Sequence, residues 1–438
     1  MSGRRLQAPK GTRDLLPPDT ALWSAVEATA RRVFARYGYG EIRTPLFEET
    51  ELFARGVGEA SDIVGKEMYS FVDKGERQLT LRPENTASVV RAYVEHGMHR
   101  LPPPVKLFYI GPQFRYERPQ KGRYRQFHQI GAELIGGRGA EADAEVVLML
   151  VAFLGELGFR DLKVLLNTVG DEASRATYRA SLVAYLRGFE SQLSDDSRRR
   201  LDTNPLRILD SKSREEQMIL EGAPKLADSL SQASREQFAR VRAILDAFDV
   251  AYEVTPRLVR GLDYYTNTVF EIVSEGLGSQ NAICGGGAYE GLVEELGGPP
   301  TYAVGFAIGE DRLLEVLPAD SPAREAARRL APAPVMVVSA TKSSRGEGGG
   351  VTAGAALAER LRRAGVPAVE AHGKLEKILE RAKSAGSPVV VLSMEEAGEG
   401  ESARSRLELR VPSSSERREI DEAALVEVLR RSCPLFEA

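Results

Sequence analysis

Residues 171 to about 248 constrain the fold most. This stretch is helical in texture, rich in Arg, Ser and Asp, and nearly free of β-branched runs. On either side the chain changes character. Val105-Lys106-Leu107-Phe108-Tyr109-Ile110, Gln129-Ile130-Gly131-Ala132-Glu133-Leu134-Ile135 and Val164-Leu165-Leu166-Asn167 read as strands before it. Tyr252-Glu253-Val254, Val269–Val273 and Ala303–Ile308 read as strands after it. A helical block that interrupts two β-rich halves reads as an inserted subdomain, and clustered strands with helices around them predict a largely antiparallel α+β domain. Ahead of it, Leu22, Val26, Ala30, Val33 and Phe34 form a helical stripe over 19–38 with Asp19 as its cap. Glu41–Phe47 then reads as a strand with Pro45 at an edge.

The run from Phe114 to Gln129 points to chemistry. Five basic residues, Arg115, Arg118, Lys121, Arg123 and Arg125, share it with a single acid, Glu117, between Arg115 and Arg125. Tyr116, Tyr124 and Phe127 are interleaved, and Pro119 and Gly122 punctuate the middle, so the segment reads as two strands and a loop. Such a hairpin holds a polyanion by charge and a flat ring by stacking, and a nucleoside triphosphate offers both. A solvated basic hairpin has the same composition. Gly285-Gly286-Gly287 allows close backbone approach to a ligand, or makes a turn.

Bulk properties narrow the classes. The 438 residues suffice for two or three domains. A net charge of -4 excludes a basic nucleic-acid coat, so any RNA contact must come from local patches. Two cysteines, Cys284 and Cys433, with four histidines exclude a disulfide framework or a Cys-rich zinc site and fit a reducing compartment. The start, Met1–Leu6, lacks the apolar core of a signal peptide, and no apolar run approaches membrane-spanning length, so the cytoplasm is expected.

After a linker at 318–334, rich in Pro, Ala and charge, the rhythm becomes strand, helix, strand, helix. Val335–Val338, Ala368–Glu370 and Pro388–Leu392 alternate with helices over 352–364 and 374–385, and a last helix spans 421–432. That order predicts a small α/β domain with a mainly parallel sheet. Gly346–Gly350 lacks the Lys-Ser/Thr ending of a phosphate-binding P-loop and reads as a loop.

Three runs taken together, the Phe114–Gln129 segment, Leu81-Arg82-Pro83-Glu84-Asn85-Thr86 and Arg260-Gly261-Leu262-Asp263-Tyr264-Tyr265-Thr266, resemble the histidyl-tRNA synthetases, a family of class II aminoacyl-tRNA synthetases. The likeness runs from Lys10-Gly11-Thr12-Arg13-Asp14 to Gly305–Arg312, close over roughly three quarters of the chain and loose thereafter. It implies a catalytic domain over 1–325 and an anticodon-binding α/β domain over 334–438. It also implies a homodimer formed through the 19–47 segment, ATP with Mg2+ as cosubstrate, histidine and tRNA(His) as partners, and no membrane. No side chains are assigned to a metal. Arg115, Arg260 and Arg312 match the family's catalytic arginines. Glu84, Asn85, Thr86, Arg115, Gln129, Glu133, Arg260, Tyr264, Tyr265 and Tyr289 match its histidine-binding positions, with Glu133 and Tyr265 on the imidazole. Arg115, Arg123, Phe127 and Arg312 match its ATP contacts.

Arginine suits this reaction, because an anionic carboxylate must meet an anionic phosphate and a guanidinium stays charged while donating two hydrogen bonds. The sequence departs from the family at Ala288, usually Arg, at Glu290, usually Asp, and at Asn85, often Gly. A competing resemblance is the histidine-sensing regulatory paralogue of ATP phosphoribosyltransferase, which usually lacks the C-terminal domain and loses the arginines. A synthetase for another amino acid is disfavoured by Glu133 and the Arg260–Tyr265 run.

Overall fold

A computed structural model describes residues 6–58, 63–119, 122–211, 213–258, 264–274, 282–331, 333–339, 353–395, 405–414 and 416–432. The chain divides into two units, Met1–Leu16 with Val26–Ala323, and Pro17–Ala25 with Arg324–Ala438.

α1 (Asp19–Arg36), which belongs to the first unit from Val26 onward, leads into β1 (Gly40–Glu41) of that unit. A small antiparallel sheet follows, built from β2 (Phe47–Glu49), β3 (Tyr69–Val72) and β4 (Gln78–Leu81), with α2 (Thr50–Val57) between its first two strands. Then come α3 (Thr86–Glu95), β5 (Val105–Phe114), β6 (Gln126–Ile135), α4 (Gly139–Glu156) and β7 (Leu162–Thr168). The predicted helical insertion is present as α5 (Glu172–Arg187), α6 (Asp195–Thr203), α7 (Arg214–Glu221), α8 (Leu226–Ser229) and α9 (Gln232–Ala247). The chain returns through β8 (Tyr252–Val254), β9 (Tyr265–Ser274), β10 (Ala282–Tyr289), α10 (Leu292–Glu295), β11 (Ala303–Gly309) and α11 (Glu310–Glu315).

Eight of these strands form one sheet in the order β1-β5-β6-β11-β10-β9-β7-β8. Only the outer pairs, β1 with β5 and β7 with β8, run parallel. The inner pairs are antiparallel, as expected from the sequence.

Alternation along the central strands gives this sheet two unlike faces. One is apolar. There the Phe34 ring of α1 meets Phe108, Phe153 and Phe306 edge-on, with centroids 5.5, 5.4 and 5.8 Å apart. α4 is buried nearly all round, through Val146, Val147, Met149, Leu150, Phe153 and Leu154, which is why its sequence shows so few polar positions. Each such side chain contributes about 1.5–3 kcal/mol on burial. The other face carries Tyr109, Gln129, Glu133, Gly305 and Tyr289, and is the floor of the site. The insertion has a core of its own, including Tyr178, Leu182, Leu186, Leu201 and Ile208.

Two local expectations differ. The strand expected over 41–47 is only two residues long before Pro45, which has no N–H to give a ladder; Ile42 N still donates to Phe108 O at 2.8 Å. The basic run has the expected two strands and loop, but the loop is longer than its Pro119 and Gly122 punctuation suggests. β5 ends at Phe114 and β6 begins at Gln126, so the arginines stand on the connecting loop.

The second unit contains β12 (Val335–Ser339), α13 (Ala353–Arg363), β13 (Ala368–Glu370), α14 (Leu375–Ser384), β14 (Val390–Glu395), β15 (Ser405–Arg410), β16 (Arg417–Ile420) and α15 (Glu422–Ser432). β13, β12 and β14 are parallel, as expected. The antiparallel pair β15–β16 extends the sheet and was not expected. Its signal is the alternation Arg406-Leu407-Glu408-Leu409-Arg410, with both leucines buried. Within the expected linker, α12 (Pro322–Leu330) forms on an Ala-rich stretch started by proline and supported by Glu325 pairs to Arg328 and Arg329 at 2.9 and 3.6 Å. Gly346–Gly350 lies outside the described residues.

Candidate active site

The polar face of the large sheet opens into two adjoining cavities, of about 340 and 210 Å3, which share Arg115, Glu117 and Arg123. The larger, inner lobe is floored by the central strands. Glu133 of β6 is fully buried. Its carboxylate accepts from Thr86 Oγ1 at 2.8 Å and from Tyr289 OH at 2.9 Å. Burial pushes its pKa up to about 8, against the lowering effect of those two bonds, and the neighbouring Glu84 adds to the rise. The carboxylate lies over Gly305 of β11, where a Cβ would stand 1.8 Å from Glu133 Oε2. No other residue fits there.

Glu84 sits at the start of α3, as Arg82-Pro83 suggests. Its carboxylate accepts from the backbone N–H of Thr86 at 2.7 Å and of Ala87 at 2.9 Å, satisfying donors the first helical turn leaves open. Burial raises its pKa, while these N–H groups, Thr86 and the Arg115 guanidinium lower it. Gln129 reaches the same lobe, and its buried side-chain oxygen has no hydrogen-bond partner within the protein. A buried acceptor left open is a cost unless a ligand meets it. Tyr264, Tyr265 and Tyr289 form an aromatic wall, with Tyr264 4.8 Å from Tyr265 and 5.5 Å from Tyr289 between centroids. Gly285 and Gly287 line the lobe from within β10, so the glycine run is strand and not turn.

The outer lobe belongs to the β5–β6 loop and the start of α11. Arg115 is positioned by its Nε, which donates to Pro83 O at 2.8 Å, and its guanidinium lies 5.3 Å from the Phe127 ring centroid. Glu117 stands 3.9 Å from Arg115 and 3.6 Å from Arg123. Arg312 of α11 is 3.5 Å from Glu315. The loop is braced by Arg125 over the Tyr116 ring at 3.8 Å and by Arg125 N donating to Gly11 O at 2.7 Å. Asp311 ties Arg13 (2.7 Å) to the His128 backbone N–H (2.9 Å), so the Lys10–Asp14 run helps to build this wall.

Arg115, Arg123, Phe127 and Arg312 therefore line one lobe, and Glu84, Thr86, Gln129, Glu133, Tyr264, Tyr265 and Tyr289 the other, with Arg115 and Arg123 in both. Arg260 lies outside the described residues. Asn85 faces elsewhere, accepting from Thr44 Oγ1 at 2.7 Å behind α3. Ala288 alternates with the lining residues Gly287 and Tyr289 and is fully buried on the opposite face, so its departure from the family leaves the pocket wall intact.

Sequence reasoning missed Tyr109, Ile63, Glu67 and Arg207, which also line the inner lobe. Arg207 comes from a 3₁₀ turn, Pro205–Asp210, inside the helical insertion. Among the described residues no group of three His, Cys, Asp or Glu side chains converges to hold a metal, and no helix is long and apolar enough to cross a membrane.

A mainly antiparallel sheet with an arginine loop between β5 and β6 and a further arginine in the helix after β11 defines the catalytic fold of the class II aminoacyl-tRNA synthetases. A family model described as histidyl-tRNA synthetase matches residues 11–313. A histidine–tRNA ligase of Synechococcus elongatus is 45% identical over 424 residues, 96% of this chain and 94% of that protein. One of Thermosynechococcus vestitus is 54% identical over 71% of this chain and 73% of its own length. The crystal structure of apo histidyl-tRNA synthetase from S. aureus superposes with a TM-score of 0.75 at 32% identity, over 97% of this chain and all of that one. The chain belongs to the histidyl-tRNA synthetase family.

Proposed function

We propose that the protein is an ATP-dependent ligase that activates histidine and transfers it to the 3′ end of tRNA(His). The observation that carries this reading is the buried Glu133, held by Thr86 and Tyr289 at the end of a lobe that opens through Arg115 onto an arginine-lined second lobe. An imidazole needs a partner for each ring nitrogen and an ammonium needs an anion; Glu133, Tyr265 and Glu84 supply these at one end. The histidine carboxylate then faces Arg115.

In the first step a carboxylate oxygen forms a bond to the α-phosphorus while the bond to the bridging oxygen breaks and pyrophosphate leaves. Arg115 and Arg260 offset charge on the pentacoordinate phosphorus, Arg123 and Arg312 hold the outer phosphates, and Phe127 stacks on adenine. In the second step a ribose hydroxyl of the tRNA end attacks the acyl carbon and AMP leaves. Magnesium enters with ATP as part of the substrate, where the phosphate oxygens are its natural ligands. Residues 1–325 form the catalytic domain in this reading, and 334–438 the anticodon-binding domain. In the latter, Arg360 pairs with Glu422 (3.0 Å), and Arg362 and Arg363 with Glu359 (3.4 and 3.1 Å), which reduces the positive field available to RNA. The protein works in the cytoplasm as a homodimer paired through the 19–47 segment.

Histidine-dependent exchange of pyrophosphate into ATP tests the reading. Histidine binding without exchange would favour the sensor paralogue. Removal of 334–438 is expected to spare exchange and sharply weaken tRNA charging, and sedimentation of a folded, active monomer would contradict the dimer.

A further inference from the structure

Hydrogen bonds that seat the helical insertion end one residue from the tyrosine that holds Glu133. Two helices of the insertion begin side by side. Asp171 caps α5, accepting from Ser174 N at 2.8 Å, and also accepts from Ser231 Oγ at 2.6 Å. Ser231 caps α9, accepting from Ser234 N at 3.1 Å. The buried Ser234 hydroxyl accepts from Asp171 N at 3.0 Å and donates to Asn267 Oδ1 at 3.1 Å. Asn267 Nδ2 in turn donates to Glu290 Oε1 at 3.2 Å. Glu290 directly follows Tyr289.

Asn267 is unusual in its backbone as well. Its φ is +48°, in the left-handed region that asparagine tolerates better than most residues. Its N–H donates to Gly170 O at 2.8 Å and its carbonyl accepts from Val169 N at 2.7 Å, where the chain enters the insertion. It also sits in a break of register. Val269 faces Gly287 while Thr266 faces Ala288, so Asn267 and Thr268 are extra residues on β9. Bulges re-aim the side chains beside them. Beyond this one, Tyr265 faces Tyr289, and both line the inner lobe.

We infer that Asn267 is a positioning residue for imidazole recognition: by joining Ser234 of the insertion to Glu290, it fixes the bulge that aims Tyr265 and Tyr289 at the ring. The arginine lobe lies on other elements, so a change at Asn267 acts on histidine and leaves ATP alone. The inference rests on the histidine reading of the inner lobe.

The test is steady-state exchange with variants of the full-length protein. Asn267→Gly keeps a residue at ease with positive φ and removes both side-chain bonds. It is expected to raise KM for histidine about tenfold, with KM for ATP and kcat changed less than about twofold. Asn267→Asp sets a carboxylate against Glu290 and should raise the histidine KM further. Adding Glu290→Gln reverses the polarity of the bond, with the Gln amide donating to Asp, and should return the histidine KM to within about threefold of wild type. An unchanged histidine KM in Asn267→Gly overturns the inference. So does a parallel loss in both substrates and kcat with a lowered Tm, or a double variant no better than Asn267→Asp. Wild-type protein with no histidine-dependent exchange would instead sink the functional reading beneath it.

Discussion

In the inner lobe Glu133 is fully buried and Glu84 is 4% exposed, and the carboxylates of both are engaged by groups of the protein itself. In the outer lobe the side chain of Arg115 is 21% exposed, Arg312 30% and Arg123 63%, and their carboxylate neighbours stand 3.5 to 3.9 Å away. The inner groups are set before any ligand arrives, so they lose little freedom on binding and can reject a ligand that leaves them unpaired. The outer groups are loosely balanced by Glu117 and Glu315, and a triphosphate can take the place of those weak partners. On the proposed function, selectivity belongs to the inner lobe and charge compensation to the outer one.

That division can be broken most sharply at the arginines. Arg115→Ala or Arg260→Ala is expected to lower kcat for histidine-dependent exchange by about two orders of magnitude or more, because charge builds on phosphorus only as the bond forms. Near wild-type kcat in either variant would remove that residue from the chemistry. Next, Glu133→Gln should raise KM for histidine by roughly 10- to 100-fold, the scale of a buried polar group left unpaired, while KM for ATP stays put. A matching rise for ATP would mean the lobes are not separate. Phe127→Ala should do the converse, raising KM for ATP about tenfold through lost stacking without touching histidine, as paired titrations of both substrates would report.

The smallest effect concerns pH. The Glu133 carboxyl keeps its proton in the folded protein to about pH 8, against an ordinary 4.5 when unfolded. The folded state therefore binds the extra proton between those values. The group's stabilising contribution is full below about pH 4.5 and declines as pH climbs to about 8. Glu133→Gln removes this titration, so the difference in Tm between variant and wild type should move in the variant's favour across that interval. A constant difference would show that Glu133 is not held protonated.

The sequence carried the inner lobe better than its surroundings. Glu84, Thr86, Gln129, Tyr264 and Tyr265 lie in three recognisable runs, Glu133 follows one of them by four residues and Tyr289 stands just after the glycine run, and the change of texture at 171 located the insertion. Tyr109 escaped notice because its signal is relational: it faces Gly131 across β5 and β6, and a Cβ on Gly131 would fall 2.3 Å from its ring. The partner glycine shows where the ring lies, but only once the register is known. Arg207 gave no signal at all, since a turn deep in the insertion reaches the pocket only through the packing of the helices around it. The hairpin around the arginines was legible, but its loop runs from Arg115 to Arg125, longer than Pro119 and Gly122 alone suggest, because alternation of charge and aromatic residues mimics a ladder on either side of them.

Gly305 has a practical consequence for anyone wishing to change the amino acid this scaffold accepts. Redesign of a binding pocket usually begins by diversifying the residues beneath the ligand. Here the residue under the Glu133 carboxylate has no room for a single added carbon. A library randomised at 305 would return glycine or an inactive protein. Productive diversity is expected instead at Tyr264 and Tyr265, on the wall of the same lobe, where a shortened ring makes space without moving the sheet.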